Sequence, residues 1–140
     1  MRKLNTLAAD LKARVVECGK FQTVLVSGAT SYDQFVQDLP NIAKLPAVVI
    51  VIGSGISDNR QLTREIRFGL ALVDRVQRAS SAGTMGIFEL AEELAGLFPA
   101  EGVAIEDVWY LPGDFNAMEL PGNHTAYLFE VKALQGAETT

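Results

Sequence analysis

The sequence predicts an α+β domain, a mostly antiparallel sheet of four to five strands with two main helices packed on it. Three observations lead there. Apolar residues recur at helical spacing in two long segments, and most of the remaining apolar content sits in short runs or strict alternations that read as strands. Consecutive strands lack long helices between them, which points to antiparallel pairing, and two helices with one apolar face each suffice to cover a sheet. The chain's 140 residues, 49% of them apolar and 21% charged, are enough for one ordinary core. A single domain over residues 1–134 is expected, with a frayed tail at 135–140.

In chain order, Leu4, Leu7, Ala8, Leu11, Val15 and Cys18 form the stripe of a first amphipathic helix, and Gly19 is its stop signal. Gln22–Ser27 is short, β-branched and closed by Gly28, so it reads as a strand. Ser31 is placed to cap a brief helix carrying Tyr32, Phe35, Val36 and Leu39 before Pro40 and Pro46. Ala47–Ile52 (AVVIVI) is the most apolar run, too short for an independent helix, and fits a central strand covered on both faces. Gly53–Gln61 then reads as a loop. In the following long strand, Leu62, Ile66, Phe68, Leu70 and Leu72 share one parity. Its other face passes from charged at Glu65 and Arg67 to small and apolar at Gly69, Ala71 and Val73, so one end should meet solvent and the other protein.

Ala79–Gly83 reads as a polar turn. A second helix follows, with Ile87, Phe88, Ala91, Leu94, Ala95 and Phe98 as its apolar stripe, ending before Pro99. Ala104–Leu111 and His124–Leu134 are the final strands, and Pro112–Gly122 between them is too long for a tight turn.

Chemistry-bearing motifs are sparse. Cys18 and His124 are the sole residues of their kinds, which excludes an internal disulfide and a clustered zinc site. Gly53-Ser54-Gly55 lacks the lysine, the third glycine and the following helix that a phosphate loop requires. His124 reads as a rim histidine with no assignable acid or nucleophile, and Glu89, Glu92 and Glu93 as a solvated helix face. No catalytic, cofactor or metal residue is assigned. A formal charge of −5 disfavours nucleic-acid grip. No apolar run is long enough to span a bilayer and no secretory signal is evident, so a cytoplasmic setting is expected.

The candidate protein-contact residues are Ser54, Ile56, Asp58 and Arg60 in the first loop and Phe115, Met118 and Leu120 in the second. Three large apolar side chains gain nothing in a solvated loop, so this second segment either folds onto the core or docks on another chain.

The opening helix LNTLAADLKARV, the Pro-led strand LPAVVIVIGSG and the long strand QLTREIRFGLALVDR, followed by TMGIFELAEELAGLF and TAYLFEVKAL, carry a resemblance. In element order the chain resembles the tail-terminator (tail-completion) proteins of long-tailed phages and prophages and the related minor tail proteins of Mu-like phages. The resemblance implies a structural, non-enzymatic virion protein. Such a protein assembles in the host cytoplasm as a ring, commonly a hexamer, which caps the tail tube and offers a surface for head attachment. Its partners would be further copies of itself, the tail tube protein and a head-completion protein, with DNA passing through the lumen. Six copies at −5 sum to −30, which suits a conduit that must not hold phosphate. The alternative is a small ligand-binding domain or enzyme using the Gly53–Gly55 segment.

Overall fold

The computed structural model describes residues 3–29, 31–58, 63–75, 86–120 and 124–136. The elements are α1 (Leu4–Cys18), β1 (Thr23–Val26), α2 (Tyr32–Asp38), a 3-10 turn (Leu39–Asn41), β2 (Ala47–Asp58), β3 (Thr63–Arg75), α3 (Ile87–Gly96), β4 (Val103–Ile105), β5 (Val108–Glu119) and β6 (His124–Gly136). Arg60, the Ala79–Gly83 turn, Leu62 and residues 137–140 lie outside the described residues.

The expected architecture is corrected. Among the described residues the sheet has six strands rather than four or five, in the order β1-β2-β3-β6-β5-β4, is mixed, curls into a half-barrel, and carries three helices rather than two. The mixture comes from β1 and β2, which pair in parallel from Thr23 opposite Ala47 to Val26 opposite Ile50. The connection between them, which holds α2 and the 3-10 turn, is long enough to act as a crossover. The remaining pairings are antiparallel, with β3 and β6 in continuous register from Thr63–Gly136 to Arg75–His124.

Two apolar clusters sandwich the sheet. On the first face, Leu7, Leu11 and Val15 of α1 and Leu90 and Leu94 of α3 pack on Val48, Ile50, Phe68, Leu70, Leu72 and Val131. On the second face, Phe35 of α2 and Leu39 pack on Val49, Ala71, Val73 and Ala126. β2 is not the central strand expected, since β3 and β6 hold the middle of the sheet, but at Ala47–Ile50 it is buried on both faces as its unbroken apolar run requires. The two-natured face of β3 is also accounted for. Ala71 and Val73 lie fully buried in the second cluster, whereas Arg67 is exposed and pairs with Glu65 at 3.1 Å.

Local signals set the helix ends. Gly19 adopts φ +73° and its N–H donates to the Val16 carbonyl at 3.1 Å, the left-handed stop that glycine adopts without a Cβ penalty. The Ser31 hydroxyl accepts from the Gln34 N–H at 3.2 Å, the N-cap expected of it. Arg14 ties the two helices of the first face together: its Nε donates to the Leu97 carbonyl at 2.8 Å and its guanidinium lies 5.9 Å from the Phe98 ring centre.

The described parts of both expected loops are largely strand, to Asp58 in the first and to Glu119 in the second. Gly53 does not end β2 but sits in a β-bulge between Ile52 and Ser54, after which the strand pairs on with β3 to Asp58. Pro112 and Gly113 do not end β5, because the register shift between Pro112 and Phe115 is a second bulge, at which proline's missing N–H is tolerated. The strand expected over Ala104–Leu111 is instead two, β4 and β5, joined through Glu106 and Asp107, with Glu106 at φ +56°. Gln135 and Gly136, expected in the frayed tail, continue β6, and Gln135 is buried. Cys18 is half-buried at the end of the α1 stripe rather than enclosed in the core.

Candidate contact surface

The structure separates the residues singled out from the sequence. Ser54, Ile56 and Asp58 occupy the far end of β2, opposite Arg67, Glu65 and Thr63. In β5 the pleat divides Phe115 from Met118, since odd and even residues point to opposite faces. Met118 and Leu120 fold back onto the second cluster beside Leu128, which answers the question for these two side chains. Phe115 does not: 61% of it is exposed.

Phe115 is one member of an aromatic row. Its ring stacks on Phe129 at 5.4 Å and 15° and meets Tyr127 at 6.2 Å and 52°, and Tyr127 meets Phe88 of α3 at 6.1 Å. The row starts against the first cluster at Phe129 and runs outward to Phe88, which is 72% exposed. The sequence reading missed this continuation. Phe88 was expected in the buried stripe of the second helix, yet the fully buried positions of α3 are Leu90 and Leu94, which places Phe88 off that stripe. The 3.6-residue period could have separated them.

On the second face, beyond α2, a cleft of about 320 Å³ lies beside Gly53, with Tyr32, Arg67, Asp114, Asn116 and Glu130 among its walls. Its floor is kept low by Gly69, where a Cβ would come within 3.0 Å of Leu128 Cδ1. Arg67, its cation, is already bonded to Glu65. His124 begins β6 opposite Arg75, and no partner among the described residues bonds its Nδ1. The described residues contain no group of three or more His, Cys, Asp or Glu side chains placed to hold a metal ion. Among them, too, no helix is long and apolar enough to cross a membrane.

Fold and surface together define a small mixed-sheet domain, packed on both faces, whose most conspicuous outward feature is an aromatic row flanking the β5 edge. No protein-family model matches the chain, and no curated protein matches it.

Proposed function

We propose that this chain is a structural subunit of a phage or prophage tail. In this reading it is a tail-terminator or related minor tail protein that forms a ring, caps the tail tube and helps to join it to the head. The observation that carries the reading is the aromatic row. Exposed aromatic side chains in contact with one another are costly on an isolated domain and are typical anchors of protein interfaces. Phe115 and Phe88 project from regular elements rather than loops, so the surface is presented on rigid supports. The formal charge of −5 per chain supports a passage for DNA rather than a grip on it.

Light scattering and native mass spectrometry test the reading. The expected species is a ring of roughly six times the 15.1 kDa chain mass. A strict monomer at the highest soluble concentration, with Phe115→Ser and Phe88→Ser leaving every association property unchanged, overturns it.

The cleft beside Gly53 favours a second reading, a small-ligand site bounded by Arg67, Asp114 and Glu130. NMR shift changes confined to these residues on addition of a fragment mixture, in a protein that stays monomeric, would replace the first reading with this one.

A further inference from the structure

Among the described residues, the sheet has two strand edges at opposite corners with no further strand beyond them. β1 shields β2 only along Ala47–Ile50, and β4 shields β5 only along Val108–Tyr110. Past their bulges, Ser54–Asp58 of β2 and Phe115–Glu119 of β5 each pair with one neighbour, and no strand among the described residues lies on their other side. Each run is five residues long, SGISD and FNAME, and neither contains the Lys, Arg or Pro with which proteins commonly blunt an open edge.

We propose that copies of this chain join head to tail by strand addition, the Phe115–Glu119 edge of one copy pairing antiparallel with the Ser54–Asp58 edge of the next. The partner is a second copy because the two edges complement each other in length and direction. Between them the strands β2, β3, β6 and β5 alternate in direction. An even number of alternating strands makes β5 antiparallel to β2, so an identically oriented copy continues the alternation without a break.

The pleat also agrees. Ile56 shares a rung with Glu65 and Leu134, and Asn116 shares one with Leu128. Leu134 and Leu128 stand at positions of one parity in β6, so the Ile56 and Asn116 rungs are in phase and can meet across the junction.

The two runs lie at different heights. Ile56 is level with Trp109, whereas Ala117 is level with Tyr127 and Leu72. Each added copy is therefore offset along the strands, which slope against the ring axis as they do in closed barrels. A head-to-tail contact of this kind saturates both edges in every copy of a closed ring, and the rotation per copy decides between a ring and an open filament. The inference rests on the ring reading above for closure, and the strand contact is tested separately from it.

The experiment uses the full chain with Cys18→Ala, so that no native thiol reacts. One preparation carries Ile56→Cys, another Asn116→Cys, and the probe is a bis-maleimide spanning roughly 8 Å, the reach of a direct or diagonal cross-strand neighbour. Mixing the two preparations should give a cross-linked dimer at about tenfold the yield of either alone, because the contact raises the local thiol concentration. The double variant should give a ladder ending at the ring size. Leu25→Cys, on the outer edge of β1, should not cross-link to Asn116→Cys. Ser54→Cys replaces Ile56→Cys if the latter does not fold, as judged by circular dichroism. A ring by native mass spectrometry without the mixed cross-link overturns the strand contact and leaves the ring reading standing. Asn116→Cys cross-linking mainly to itself overturns it in favour of a two-fold dimer, and a monomer without cross-links overturns both.

Discussion

Phe35 and Phe115 are the same residue type with opposite fates, and the difference is a matter of what surrounds each ring. Phe35 is 1% exposed and anchors the seven-residue α2 to the second face of the sheet. Phe35→Ala should cost about 3–5 kcal/mol, the usual penalty for an emptied aromatic core site. Phe115→Ala should change the stability of the isolated chain by less than about 1 kcal/mol, because most of its ring already contacts water. Urea titrations of the two variants check this; equal midpoints would mean that α2 is not held by Phe35. At this scale the sequence was readable where a residue's chemistry has one dominant use. Ser31 caps and Gly19 terminates because a hydroxyl and a missing Cβ each solve a specific backbone problem. Glu106 was not readable, since glutamate is not a residue that announces positive φ. A Cβ at Gly102, φ +85°, would likewise meet the Trp109 ring, a constraint visible only once β5 is in place.

Elements were legible in proportion to the length of their periodic pattern. α1, β3 and α3 each show several turns or alternations, and each was expected close to its observed bounds. The distal halves of β2 and β5 were hidden by Gly53, Pro112 and Gly113. These residues usually end strands, and here they fill bulges beyond which pairing resumes. A single sequence does not distinguish a glycine that ends a strand from one that kinks it, because the partner strand decides. The link between α1 and the end of α3 was also beyond the sequence, for it is made by the Arg14 side chain reaching across to Leu97. A half-buried, charge-assisted bond to a helix-end carbonyl contributes about 1–2 kcal/mol. Arg14→Ala should cost that amount. Arg14→Lys should recover only part of it, since an ammonium reaches the carbonyl without the planar contact to Phe98. Thermal unfolding of the three proteins orders them wild type, Lys, Ala; a Lys variant as stable as the wild type would remove the stacking from the account.

At the scale of the whole molecule, two forces act on any assembly of this chain. Each copy carries a formal charge of −5, so bringing copies together raises mutual repulsion. The contact proposed between copies uses backbone edges and the aromatic row, neither of which relies on ion pairs between copies. Salt therefore separates this arrangement from one held by charge. Raising ionic strength from about 0.05 to about 0.5 M shortens the screening length severalfold and weakens the repulsion between acidic copies. Strand pairing and apolar burial are left largely intact. The oligomer fraction at fixed protein concentration should rise across that range, and the rise should be smaller in a variant with Glu92→Gln and Glu93→Gln, where two of the charges on α3 are already removed. Sedimentation velocity across a salt series measures both. An oligomer that dissolves as salt increases would show that opposite charges hold the copies together, and the edges and aromatic row would then have to give up the role assigned to them.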